Sequence, residues 1–494
     1  MEKQTRLTPE ERAFFALVKQ AIFANPFGSE RPAIDAKIAS DSTTDAGAHA
    51  IEQTVDAVER RLGLLQQSGC WSIEHFSQED RSLVEGAHLF VFFYRFRKKF
   101  DQHIAAQTLA EDKPVKLEFA GEAVAFLQKR GFGADEIQRA VELAYQFRRA
   151  YGFIRNNLIG RSQAMRRLRH DLWNGIFTHD IDLYRRYLWN RMEDFTTLIL
   201  GETGSGKGSA ANAIGQSGYI PFDLKKQRFA ESFTNSFLSI NLSQFPETLI
   251  ESELFGHKKG SFTGAVQDHR GVFERCSKHG VILLDEIGEI ARPIQIKLLQ
   301  VLQDRVFYPV GSRKQERFSG RVIAATNRPL EELRRGDRFR DDFYYRLCSD
   351  IITVPSLRQR LREEPAELDD LLAVTVKRMV GQETPELVER VRNVIVRQLG
   401  ADYPWYGNVR ELEQCVRRVL VRETYEGDKT HNAPDLQSRL MTGIELGNLS
   451  AQDLMSGYCK LLYERYGTYE EVARRTELDR RTVTKHIREW RESS

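Results

Sequence analysis

The sequence predicts an α/β core, built as a mostly parallel sheet covered by helices and followed by a helical lid. It sets this core between a helical N-terminal domain and a small helical C-terminal domain. Three observations carry the prediction. Short β-rich runs, "TTLIL", "FLSINL", "VILLDE", "RVIAATN" and "DIITV", alternate with helical stretches after about residue 157. One of them runs straight into a glycine-rich loop, and another ends in two acids. Before and after this region, apolar residues recur three and four apart, as on helices.

The N-terminal part, residues 1–155, opens with "TPEERAFFALVKQAIF", a helix-start signal with Thr8 as N-cap, Pro9 as the first helical residue and Glu11 as the reciprocal capping acid. Residues 29–48, rich in Ser, Asp, Thr and Ala, read as a loop. The rest, from "AIEQTVDAVERRLGLL" to "ADEIQRAVELAYQFRRAYGFIRN", reads as helices without an acidic cluster of the kind a phosphoacceptor domain uses. The aromatics of "HLFVFFYRFRKKF" read as core and its "FRKKF" end as a solvated basic face.

In "TTLILGETGSGKG" a strand feeds the pattern G-x-x-x-x-G-K. Gly201, Gly204 and Gly206 let backbone N–H groups close around phosphate oxygens, and Lys207 supplies a charge for the β and γ phosphates. Gly208 stands where a Ser or Thr would hold Mg²⁺. The expected nucleotide-binding set is Gly201, Glu202, Thr203, Gly204, Ser205, Gly206, Lys207, Gly208 and Ser209. The "VILLDE" strand ends in Asp285 and Glu286, placed where open α/β sheets bind nucleotides. Asp285 suits Mg²⁺, directly or through water, and Glu286 suits polarising the attacking water. "RVIAATNR" ends in Thr326 and Asn327, polar groups able to sense a γ-phosphate.

The final piece, "GTYEEVARRTELDRRTVTKHIREW", reads as helix, turn, helix. Val472 and Ala473 face inward, Leu478 sits in the turn and Asp479 caps the second helix. Val483, Ile487 and Trp490 share that helix's buried face at i, i+4 and i+7. Arg480, Arg481, Thr482, Thr484, Lys485 and Arg488 are the candidate DNA contacts of a helix sized for a major groove. Glu477 falls where such turns favour glycine, at an expected positive φ. The amphipathic "SAQDLMSGYCKLLYERYG" before it could pair subunits.

The segments "GETGSGK", "ESELFGHKKGSFTGA", "VILLDEIGE", "RVIAATNR", "FRDDFYYRL" and "WYGNVREL" occur in the order found in bacterial enhancer-binding proteins. Those are the AAA+ P-loop ATPases that activate RNA polymerase carrying sigma-54. The chain resembles them from "LIGRSQAMRRL" to about residue 425, and its end resembles their Fis-type helix-turn-helix. The resemblance implies ATP and Mg²⁺ as cofactors, ATP hydrolysis, upstream DNA and the sigma-54 holoenzyme as partners, and self-assembly from dimer to hexamer ring. Gly260, Ser261, Phe262, Thr263, Gly264 and Ala265 match the loop that touches sigma-54. Asn241 is similar to the asparagine that restrains the catalytic glutamate, Arg340 and Arg346 to arginine fingers supplied in trans, and Arg410 to the second sensor. Departures are Gly208 in place of an acid, Lys258 where the family often has Glu, and Ser261 in place of Ala. Two insertions, "FTHDIDLYRRYLWNRMEDF" and "GYIPFDLKKQRFAESF", fit either an altered adenine pocket or an altered subunit contact.

The expected domains are therefore 1–155 regulatory, 156–355 α/β ATPase, 356–426 lid, 427–448 linker and 449–494 DNA-binding. The alternative reading is a DNA-binding repressor whose AAA+ domain binds nucleotide and assembles without driving activation. The intact set of Lys207, Asp285, Glu286, both fingers and the Phe-Thr tip favours the activator. The N-terminal input, a small molecule or a protein partner, stays open. Net charge of +3 places any DNA-binding surface locally. Five scattered cysteines without CxxC spacing point to reduced thiols and a cytoplasmic protein. The start has no signal-peptide layout, and the apolar run near Phe90 falls short of the roughly 20 residues of a membrane span.

Overall fold

The β-rich runs pair into one parallel sheet of five strands. They are β1 (Thr197–Leu200), β2 (Phe237–Asn241), β3 (Val281–Asp285), β4 (Arg321–Thr326) and β5 (Asp350–Thr353), in the spatial order β2-β3-β4-β1-β5. The computed structural model describes residues 5–40, 50–69, 72–334, 339–400, 402–427, 436–445, 447 and 449–492. Cys70 and residues 428–435, 446 and 448 of the expected linker lie outside the described residues.

The inner strands β3, β4 and β1 read as apolar runs because both sheet faces are covered there. Successive side chains take opposite faces. Ile199, Val281, Leu283, Ile323 and Ala325 join one buried cluster, with Leu168 and Leu172 of the helix Gln163–Phe177 and Ile214 of the helix Lys207–Gly215. Leu198, Ile282, Leu284, Val322 and Ala324 join the other, with Leu298 and Leu302 of the helix Arg292–Asp304. Register sets Asn241 beside Asp285 and Leu200 beside Thr326. Loops leaving these strands therefore emerge along one edge, at the point where the chain order reverses.

The chain folds into two compact units, Met1–Val388 with Gly407–Glu413, and Glu389–Tyr406 with Gln414–Ser494. The first holds the N-terminal helices as well as the α/β core. Helix Pro9–Phe23 starts as expected: Thr8 N donates to Glu11 Oε2 at 2.8 Å, and Glu11 N donates to Thr8 Oγ1 at 3.2 Å. The expected loop over 29–48 is corrected in part, because Glu30–Ala39 is helical. There Arg31 and Asp35 pair one turn apart at 2.8 Å, and Ile38 is buried, so local helix support outweighs the polar composition. Residues 41–49 lie outside the described residues. Phe90, Phe92, Phe96 and Phe100 of the helix Gln78–Leu109 are fully buried, hence core.

The N-terminal core does not close on itself. Ile220, Phe222, Phe229 and Phe233, all from the insertion after the P-loop helix, are buried within it. Burying each is worth roughly 2 kcal/mol. A polar seat surrounds them. Glu142 of the helix Ala134–Asn157 accepts from Tyr219 Oη at 2.7 Å and from Phe222 N at 2.8 Å. Gln146 and Arg149 of the same helix donate to the carbonyls of Ser217, Gln216 and Gly218. The other insertion docks there too, through Tyr184 Oη to Gln146 Oε1 at 3.0 Å and Arg185 to Glu85 at 2.5 Å. Both insertions thus seat the N-terminal helices on the core.

Within the second unit, helices Ala451–Tyr466, Tyr469–Thr476 and Arg480–Glu492 enclose a small core of Cys459, Leu462, Val472, Val483 and Ile487. Glu477 caps the middle helix at φ 56, in the left-handed region.

Candidate active site

The glycine-rich loop takes its shape from residues without a Cβ. Gly204 and Gly206 have φ of 76 and 109, and a Cβ on Gly204 would stand 2.2 Å from the carbonyl oxygen of Gly407. Lys207 opens the following helix and is 7% exposed. Its Nζ donates to the carbonyls of Gly201 at 2.9 Å and Glu202 at 3.3 Å. Those are bonds a phosphate oxygen can replace. Burial pushes its ammonium below the usual lysine range, Glu286 and Asp285 pull it back up, and Arg410 pushes it down. Lys207 therefore feels both acids and Arg410 at once.

The acids leave β3 where the register requires. Asp285 Oδ1 accepts from Glu286 N at 3.0 Å, and Glu286 sits at φ 54. A non-glycine residue held left-handed costs of order 1–2 kcal/mol and is typical of functional sites. Asn327 Nδ2 donates to Thr203 Oγ1 at 3.1 Å, tying β4's polar tip to the glycine-rich loop. Thr326 is fully buried, and its hydroxyl accepts from Arg328 N at 3.2 Å. Ser205 Oγ is buried with no hydrogen-bond partner. An orphaned hydroxyl beside Lys207 is the kind of group a phosphate or a hydrated cation satisfies. Ser209 is exposed on the first turn. Gly208 is open, with nothing within 4 Å of a Cβ.

Two positions that sequence reasoning passed over hold this loop. Asn408, in "GNVREL", is buried at φ 54. Its Nδ2 donates to Glu202 Oε2 at 3.1 Å and Thr203 O at 3.0 Å, while its Oδ1 accepts from Leu357 N at 2.7 Å. Arg358 forks onto the Glu202 carboxylate. Arg410 lies two residues onward, its Cβ 2.9 Å from where a Gly204 Cβ would be. The lid's first turns are thus latched to the loop by neutral and charged bonds together. The only sequence signal was the Asn beside the glycine.

Three expected residues point elsewhere. Asn241 accepts from Ser243 N at 3.0 Å and Ser243 Oγ at 2.8 Å, and makes no bond to Glu286. Arg340 is exposed and pairs with Asp342 at 2.9 Å. Arg346 donates to the carbonyl of Leu302 at 2.7 Å, capping the end of the helix Arg292–Asp304. This geometry lies within one subunit.

The GSFTGA loop is folded down. Gly260 N donates to Ala265 O at 2.8 Å and Ala265 N to Phe262 O at 3.0 Å, while Gly260 and Gly264 take φ of 78 and 102 with open space around them. Phe262 is 36% exposed and meets the His257 ring edge-on at 4.9 Å. Thr263 is exposed. Ser261 packs against Gly311, and its hydroxyl is buried without a partner. Lys258, the charge-reversed position, bonds Asp268 across the loop stem at 2.8 Å. That clasp holds the Asp268 carboxyl below its ordinary range.

On the C-terminal helix, Asp479 Oδ1 accepts from Arg481 N at 2.9 Å and Thr482 N at 3.0 Å, and Thr482 Oγ1 donates to Asp479 Oδ2 at 2.5 Å. Thr482 is therefore spent on the cap. Thr484 Oγ1 donates to Arg480 O, and Arg480 pairs with Glu470 at 2.9 Å. Arg481, Lys485 and Arg488 are exposed one turn apart, on the side away from Val483 and Ile487.

Residues 182–353 match the sigma-54 interaction domain. Over 290 residues the chain is 38% identical to the Nif-specific regulatory protein of Azotobacter vinelandii, covering 58% of this chain and 48% of that one. The Nif-specific regulatory protein of Klebsiella pneumoniae is 38% identical over 271 residues, covering 55% and 45%. The anaerobic nitric oxide reductase transcription regulator NorR of Vibrio vulnificus is 36% identical over 270 residues, covering 54% and 46%. The chain spans about half the length of the curated relatives it matches. Among the described residues no helix is long and apolar enough to cross a membrane. The parallel sheet, the glycine-rich loop and the acidic strand end all lie within the residues that match the sigma-54 interaction domain.

Proposed function

We propose that the protein is an ATP-hydrolysing transcription activator that binds upstream DNA and remodels the closed promoter complex of sigma-54 RNA polymerase through residues 260–265. The carrying observation is the folded-down loop. Its aromatic tip is half covered by His257, between two unhindered glycines with positive φ. Such a loop can rise by small φ/ψ changes and carry Phe262 to a partner.

In this reading Lys207 leaves the carbonyls of Gly201 and Glu202 for the β and γ phosphates. Glu286 orients the attacking water, and Asn327, bonded to Thr203, reads whether the γ-phosphate is present. Mg²⁺, when bound, neutralises phosphate charge; Asp285, directly or through water, and the Ser205 hydroxyl are the groups to hold it. Arg410 faces the same phosphates from the lid. Asn241 would have to give up Ser243 to restrain Glu286. Arg340 and Arg346 act in trans only in a ring, and both must exchange their present partners. Arg481, Lys485 and Arg488 form the DNA-facing stripe, with Arg480, Thr482 and Thr484 in supporting positions. A dimer-to-hexamer assembly and a cytoplasmic setting complete the proposal. An ATPase assay of Glu286→Ala beside wild type tests the enzymatic part, and equal rates would contradict it.

A further inference from the structure

A cavity of about 640 Å³ lies at the end of the sheet opposite the glycine-rich loop, where β3 and β4 begin. Both insertions and the helix Ala134–Asn157 contribute to its walls. Its lining is aromatic on one side and cationic on the other. Trp189 and Tyr219 meet at 4.6 Å, and Tyr219 and His279 at 6.3 Å, giving a row of rings. Arg139 covers the outer face of Trp189 at 4.9 Å.

Lys278, Arg305, Arg317 and Arg321 supply the cations. Arg321 has Asp350 in Coulombic range, and Arg305 bonds Asp194 at 3.0 Å. Arg305 still keeps a buried Nε without a hydrogen-bond partner. Arg321 spends Nε and Nη2 on Phe195 O, Gly175 O and Thr197 Oγ1, leaving Nη1 as its remaining donor. Lys278 and Arg317 are exposed at the cavity and pair with no acid among the described residues. Glu193 is the one other carboxylate in the lining. An orphaned guanidinium donor next to unpaired cations is costly unless an anion is brought to it.

We propose that this cavity binds a small organic anion bearing a flat ring. Its charge meets Lys278, Arg317 and the free donors of Arg305 and Arg321, and its ring lies against Trp189 and Tyr219. The bound anion would touch Ser217, just past the helix that carries Lys207, and Val281, the first residue of the strand that ends in Asp285. A carboxylate and a phosphate monoester both satisfy this chemistry.

The test is calorimetric titration of the full chain with salicylate and with phenyl phosphate, using uncharged salicylamide as the ring-only control. Saturable binding of either anion with Kd of about 1 mM or tighter is expected. The tighter of the two identifies the anion class. The pair Lys278→Glu/Arg317→Glu should weaken it tenfold or more, while Lys225→Glu/Lys226→Glu, outside the lining, should leave it unchanged. If the charge-reversed pair fails to fold, Lys278→Gln/Arg317→Gln serves, with the same expected direction. No saturation by either anion, equal binding of salicylamide, or equal binding by the Lys278/Arg317 variants overturns the proposal. Loss of binding in the Lys278/Arg317 variants also separates this cavity from phosphate capture at Lys207.

Discussion

Arg149 donates to the carbonyl of Gln216 at 2.7 Å, and the same guanidinium reaches Gly218 at 2.6 Å. The side chain is 1% exposed and lies over the Tyr145 ring at 4.5 Å. Gln216 is the C-cap of the helix that begins with Lys207. A buried cation from the N-terminal helices thus neutralises the negative end of the P-loop helix dipole.

Arg149→Met should lower stability by about 3 kcal/mol, because it removes two charged hydrogen bonds and leaves two half-buried carbonyls unpaired. Urea unfolding would register this as a lower midpoint, and hydrogen exchange at residues 216–218 should quicken. An unchanged midpoint would mean that the seat carries no load. Deleting residues 1–150 is a blunter probe, because it uncovers Ile220, Phe222, Phe229 and Phe233.

His103 gives the seat a pH dependence. It is buried against Tyr145 and Phe229, and its Nε2 has no partner. Burial first, and Arg149 second, hold its imidazole down to about 4. The unfolded chain then binds the extra proton between about 6.5 and about 4, so stability falls as pH drops through that window. The full loss below it is roughly 3 kcal/mol. His103→Gln should flatten this part of the stability-versus-pH curve, and an identical slope in wild type and variant would refute the assignment.

Gly208 occupies the second position of the P-loop helix with open space around it. Gly208→Ala should stabilise the protein by about 0.5–1 kcal/mol. Gly208→Ser should in addition lower the Mg²⁺ concentration that half-saturates ATP hydrolysis, since it restores a hydroxyl next to Lys207. ATPase rates measured across a Mg²⁺ titration separate the two effects.

Glu477 holds a left-handed conformation that glycine adopts without strain. Glu477→Gly should stabilise the three C-terminal helices by about 1 kcal/mol, and Glu477→Val should destabilise them by at least as much. Amide exchange along Arg480–Glu492 in the full chain measures both.

Much of this architecture was legible because its signals are local. The three inner strands are apolar runs, and the loop after β1 and the acids that end β3 are defined by neighbours in sequence. The strain at Glu477 followed from a turn that favours glycine. What escaped notice depends on partners far along the chain. The insertion at 218–233, which the sequence left between an altered adenine pocket and an altered subunit contact, is met by Glu142, Gln146 and Arg149 from about seventy to eighty residues away. Asn408 reaches Glu202 across 206 positions, and no periodicity marks such a pair. Arg346, expected as a finger in trans, caps within its own subunit a helix that ends 42 residues earlier, at Asp304.

In the proposed function, Phe262 delivers hydrolysis to a sigma-54 complex. Phe262→Ala, assayed side by side for ATP hydrolysis and for open-complex formation with sigma-54 polymerase on supercoiled promoter DNA, tests it most directly. Hydrolysis should persist, while promoter opening falls by about thirtyfold, from the ~2 kcal/mol of a lost aromatic anchor. Promoter opening at the wild-type rate in Phe262→Ala would contradict the account.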